Sequence, residues 1–137
     1  MELEIEVCKK IAMTQEQKDL LLKDLCSRLP YGVKCENHNH VYGKNIFKVT
    51  DIRDNGYICG IINNRNYWAV FDPLELKPYL FPLSSMPEKQ QIELTKFVAN
   101  GISGENIIYD WYNKNHFDYR NLIDKNLAID CTNLNIY

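Results

Sequence analysis

Asp54-Asn55-Gly56 stands between two runs rich in β-branched and aromatic residues. Asn-Gly tolerates the positive φ angles of a type I′ turn, so the pattern predicts a hairpin with strands Asn45–Arg53 and Tyr57–Ile62. That hairpin commits the middle of the chain to sheet. Gly32–Glu36 reads as a strand before it, followed by a polar loop over residues 37–44. Asn63–Asn66 is a further turn, and Tyr67–Phe71 a fourth strand ended by Asp72-Pro73. Residues 76–83 are extended, and Pro78 and Pro82 place them at a sheet edge. Four or five short strands at this spacing suggest a small curled antiparallel sheet or an SH3-like barrel.

The flanking segments have helical periodicity. Thr14 and Gln17 form a capping box pattern, and Leu21, Leu22, Leu25, Cys26 and Leu29 recur at helical spacing. Asp19, Lys23 and Asp24 fall largely opposite, and Pro30 stops the helix. Ser85 and Glu88 make a second box pattern, with Pro87 in the first turn and Asn100-Gly101 as the stop. Ser103 caps a helix over 104–115 whose buried stripe is Ile107, Ile108, Trp111 and Tyr112. Asp118 caps a last short helix that Asn126 terminates, and Leu127–Ile129 adds a strand or a docked tail. Helix, then strands, then helices is an α+β order, not a βαβ one. With 137 residues, 45% hydrophobic and 25% charged, the chain suits one folded domain, 1–137. It divides into an N-terminal arm (1–13), a helix with the small barrel (14–83) and a helical cap of two to three helices (84–130).

The first residues alternate Glu2, Glu4, Glu6 with Leu3, Ile5, Val7, a strand or arm pattern without the basic start of a signal peptide. No run approaches the ~18 apolar residues of a membrane span. The expected location is the cytoplasm, with no membrane partner. Five cysteines without a CxxC pair then imply free thiols, with Cys26 and Cys59 in the core.

Chemistry-bearing patterns are sparse. Cys35, His38 and His40 form Cys-x2-His-x-His, with ligand types that suit zinc. A structural zinc takes four ligands, and no second cluster accompanies these three, so the expectation is no metal and no cofactor. Gly-x-Ser-x-Gly, Gly-x-Gly-x-x-Gly and Walker A patterns do not occur. Gly101–Glu105 is a glycine-containing turn before a helix, read as an interhelical connection more than an anion site. Asp110, Asp118 and Asp124 fall in different turns and form no carboxylate pair by spacing. These readings point away from an enzyme.

Nine tyrosines and two tryptophans are the unusual feature, dense at 67–71 and 109–119. Most such rings build the core of a small domain, while others serve as binding anchors. Tyr67 and Trp68, with Arg53 and Arg65, are the candidate binding residues, able to line a pocket for a small nucleotide ligand. Formal net charge is -2. Residues 32–81 hold six Lys/Arg and five Asp/Glu, and residues 84–137 five and seven. Neither part has the basic excess that drives phosphate-backbone binding, so duplex DNA is not an expected partner.

Three blocks together resemble a known family: LLLKDLCSRLPYGVKCE (Leu20–Glu36), KPYLFPLSSM (Lys77–Met86) and FDYRNLIDKNLAID (Phe117–Asp130). It is a widespread family of small uncharacterised proteins encoded by gut anaerobic bacteria and their phages and prophages. The resemblance implies no catalytic or binding residue. It implies a mobile-element context, in which a small protein acts on something of the host, including its defences. The functional expectation is a non-enzymatic interaction module for a host protein or a second copy of itself. The alternative is a protein that binds or sequesters a small nucleotide.

Overall fold

The structure is a computed structural model, and it describes residues 13–37, 45–62, 68–99 and 105–137. The arm 1–12, the histidines of the 37–44 loop, the 63–66 turn and the Gly101–Ser103 connection lie outside the described residues.

Helix α1 (Gln15–Arg28) opens on the expected capping box, with Thr14 Oγ1 accepting from Gln17 N–H at 3.1 Å and Gln17 Oε1 accepting from Thr14 N–H at 3.0 Å. The sheet follows as β1 (Lys34–Asn37), β2 (Asn45–Ile52), β3 (Ile58–Ile62), β4 (Trp68–Phe71) and β5 (Leu76–Pro82). Helices α2 (Glu88–Ala99) and α3 (Glu105–Lys114) come next, then two short strands, β6 (Phe117–Asp118) and β7 (Ile129–Asp130). The class is α+β, as the segregated order implies. The sheet runs β4-β3-β2-β1-β5-β6, with β7 also paired to β5.

The barrel of the sequence reading does not form. The sheet is open, and among the described residues no ladder joins β4 back to β5. Helix α1 covers the apolar face instead. Leu21 and Leu25 pack against Val33, Cys35, Phe47, Val49, Ile58 and Phe71, so a helix covers the apolar face that barrel closure would otherwise bury. Phe47 and Phe71 meet edge to face at 4.9 Å. Gly60 lies opposite Val49, and a Cβ there would come 2.1 Å from Lys48 O and 2.6 Å from the Phe47 ring. Only glycine lets β2 and the Phe47 ring approach this closely.

Nor is the sheet wholly antiparallel. β6 and β7 join β5 in parallel. β5 is also no edge strand, since it pairs with β1 as well. Pro78 is tolerated for a local reason. Val33 C=O accepts from Val49 N–H, so Cys35, two residues on, also points its backbone groups toward β2. Pro78 lies opposite Cys35 and is asked for no N–H there.

The hairpin turn differs in type from the expectation. Gly56 N–H donates to Arg53 C=O at 2.9 Å and Arg53 N–H to Tyr57 C=O at 2.9 Å. Only Gly56 has positive φ, at 84°, whereas a type I′ turn needs two such residues. This is the longer hairpin loop, a tight turn followed by one left-handed glycine.

Further differences concern the helices. Cys26 is exposed, not in the core, while Cys59 is buried. Ser85 Oγ donates to Pro82 C=O at 2.7 Å rather than capping α2, whose first turn is bonded through Pro87 C=O. Trp111 is 6% exposed, stacked on Phe117 and packed near Met86, but Ile107 points out. Asp118 accepts from Leu122 and Ile123 N–H, both at 2.9 Å, yet only turns follow. Left-handed backbone at Asn121, φ 59°, interrupts a helix there, while Asn126, also at φ 59°, is the left-handed end that the sequence predicts.

The turn yields a direct test. Gly56→Val should cost ~2 kcal/mol or more, because a β-branched residue resists positive φ. A Cβ at Gly56 meets only Leu22 Cδ1, at 3.7 Å, so packing contributes little. Gly56→Asn should stay within ~1 kcal/mol of wild type in urea unfolding.

Candidate functional site

The sequence-derived binding residues separate. Trp68 opens β4 opposite Ile61, while Arg53 follows Ile52, whose neighbour Ile58 lies opposite Phe71 at the far end of β4. Trp68 and Arg53 are thus about 10 Å or more apart along the strands, and two strands apart across them. Both are exposed. Tyr67 and Arg65 lie outside the described residues. The outer face around Trp68 is mixed, with Ile61 opposite it and the exposed Lys48 opposite Ile61 on β2. Trp68 is 68% exposed and Val70, on the same face of β4, 46%. Ile46 is exposed on the same outer face of β2.

Cys35 sits in the core beneath α1 with no exposure. Burial, and then the Asp24 carboxylate, push its thiol up. His38 and His40 lie outside the described residues. Among the described residues no group of three His, Cys, Asp or Glu is placed to hold a metal. No helix of the described residues is long and apolar enough to cross a membrane.

The most constrained polar cluster was not anticipated. Asp24 and Arg28 are both fully buried, and Arg28 Nε donates to Asp24 Oδ2 at 2.9 Å. Arg120 Nη1 donates to Asp24 Oδ1 at 2.8 Å and its Nη2 to Ser27 Oγ at 3.3 Å. Arg28 Nη2 donates to Phe117 C=O at 2.6 Å, which ties α1 to β6. The Arg120 guanidinium lies 4.5 Å from the Tyr119 ring centroid and that of Arg28 5.5 Å. Tyr119 in turn stacks with Tyr109 and Tyr112 of α3, at 4.9 and 5.6 Å. Tyr31 OH donates to Asp110 Oδ1, a second link between α1's end and α3. A signal for this cluster was present. Leu21, Asp24, Leu25 and Arg28 fall at i, i+3, i+4 and i+7, so the charged pair shares the apolar stripe.

A second cluster joins the sheet to the last residues. Glu36 pairs with Lys77 in the β1–β5 register, which would set Lys34 opposite Tyr79. There the Tyr137 hydroxyl stands between them. It accepts from Lys34 N–H at 2.8 Å and donates to Tyr79 C=O at 2.9 Å. Lys34 Nζ donates to Ile136 C=O at 2.9 Å, and the Tyr137 ring stacks on His116 at 3.6 Å. Burial pushes the Tyr137 phenol well above its usual range, which keeps the proton that Tyr79 C=O needs. Burial, then Arg28 and Lys34, lower His116 to about 4, so this ring is neutral at pH 7.

No protein-family model, curated protein or solved structure matches the chain.

Asp24→Ala should cost ~3–5 kcal/mol, because it strands a buried guanidinium. Replacing Asp24 and Arg28 together, by Leu and Met, should recover much of that loss in denaturant unfolding. For His116, the unfolded ring takes up a proton near pH 6.5 and the folded ring only near 4. The unfolded state therefore binds more protons between these values, and stability falls as pH drops from about 6.5 to about 4. His116→Asn keeps a residue that tolerates its φ of 63°. It should flatten that part of the stability–pH curve.

Proposed function

We propose that the protein is a non-enzymatic interaction module that binds a protein partner through the outer face around β4. The partner is a host protein or a second copy of the chain. The observation that carries this is Trp68, the most exposed of the large hydrophobic side chains described, at 68%, beside Val70 at 46%. A tryptophan buries roughly 150–250 Å² when covered, and it is among the residues most often dominant in binding energy. β4 ends the strand order of the described residues, so a partner gains backbone as well as side-chain contacts there. The near balance of charge over 32–81 supports a protein surface more than duplex DNA as the counterpart. The resemblance to proteins of phages and prophages supports a host protein in the cytoplasm, an element of host defence among the fitting targets. Chemistry is not needed by this reading, and no cofactor enters it.

The test compares wild type with Trp68→Ser, whose exposed position leaves the core intact. Sedimentation velocity reads self-association, and quantitative capture from host lysate reads a hetero-partner. The expected result is a dimer, or one discrete captured protein, lost at least tenfold in the variant at unchanged Tm. A wild type that is monomeric and captures the same proteins as the variant overturns the proposal.

A further inference from the structure

A cleft of about 590 Å³ opens between α1, α3 and the residues after β6. Its volume is in the range of small-molecule pockets, in the form of a half-open groove and not an enclosed cavity. One wall carries cations. Lys23 and Ser27 stand one turn apart on α1, and Arg120 reaches Ser27 Oγ from the other side at 3.3 Å. Two of the five guanidinium N–H groups of Arg120 are committed, one to Asp24 and one to Ser27, so the remainder can meet an anion. Beside these cations the lining is aromatic and polar, with Arg120 itself lying over the Tyr119 ring. Tyr109 and Tyr119 both belong to it, their rings 4.9 Å apart, and Tyr109 is exposed. Asp110 lies beside them with one oxygen held by Tyr31 OH.

Asn113 gives the independent observation. It lines the same cleft, is only 6% exposed, and its Oδ1 has no hydrogen-bond partner among the described residues. A buried amide oxygen without a donor is costly, so a ligand donor that reached it would be favoured. The two ends therefore ask for different chemistry. An anion suits Lys23 and Arg120, a planar ring suits Tyr109, and hydrogen-bond donors suit Asn113 and Asp110. A phosphate, a base and the amino or hydroxyl groups of a nucleotide match these in one molecule. We propose that this cleft is a binding site for a free nucleoside monophosphate, with the phosphate at Lys23 and Arg120 and the base against Tyr109. The site lies away from Trp68 and is independent of the protein-binding face. The lining carries two cations and one carboxylate, enough for one phosphate but no track along which a strand could lie.

Isothermal titration of the full chain with AMP, GMP, CMP and UMP tests this. Adenosine, inorganic phosphate and a short single-stranded oligonucleotide form the other arms. The expected result is saturable one-to-one binding of at least one monophosphate, with adenosine and phosphate each about tenfold weaker or more. Tyr109→Leu keeps apolar bulk but not the stacking face, and should weaken that binding by about tenfold. Lys23→Ala should weaken it several-fold, more at low salt. Lys23 is exposed, so Tm should hold in Lys23→Ala, while Tyr109→Leu also loses its stack on Tyr119 and should lower Tm by a few degrees without unfolding the protein. No binding of any monophosphate up to ~1 mM overturns the proposal. Phosphate alone binding as tightly as the nucleotide, the oligonucleotide binding tighter than the monomer, or affinity unchanged in both variants also overturns it.

Discussion

Asp24 is the group on which the two parts of this protein meet. It sits on the face of α1 that covers the sheet, and two guanidinium groups approach it, one from its own helix and one from beyond β6. A carboxylate without solvent is tolerable only with partners of opposite charge and satisfied geometry. Arg28 supplies the first and spends another N–H on the Phe117 carbonyl. Arg120 supplies the second and lays its planar face near Tyr119. Helix, late strand and aromatic stack are thereby held in one arrangement. The apolar clusters on either side, around Phe47 and around Trp111, need only fill the space this cluster defines.

The sheet shows how the chain avoids a barrel. α1 takes the apolar face, and β5 exchanges partners along its length, from β1 at its start to β7 and then β6 at its end. Those last two strands have two residues each. They are too short to carry the sheet round, but they bring Phe117 and Asp118 to where Arg28, Trp111 and the following turns can use them.

Much of this order was legible in the sequence because its signals are local. The Asn55-Gly56 pair, the Thr14–Gln17 box and the alternation of β2 act within a few residues of themselves. The rest depended on contacts far apart in the chain. Asp24 looked solvated because charge outweighed its phase beside Leu21 and Leu25, and its second partner is 96 residues away. Cys26 looked apolar by type but points outward. Asp118 did cap backbone N–H groups, yet the left-handed Asn121 stopped the helix it was expected to start. Of the candidate site, Trp68 was found by its residue type alone. The α1–α3 cleft was not, because Lys23, Tyr109 and Arg120 converge only through tertiary packing.

The Tyr137 hydroxyl occupies a rung of the β1–β5 ladder that backbone groups would otherwise fill. One amide of the sheet therefore belongs to a different opening event from its neighbours. Lys34 N–H is shielded by a side chain, so its exchange with solvent deuterium reports release of the last residues and not separation of the strands. The β1 amides bonded to other strands exchange with the sheet itself. Within one short strand the protein thus carries two clocks, one for the tail and one for the core.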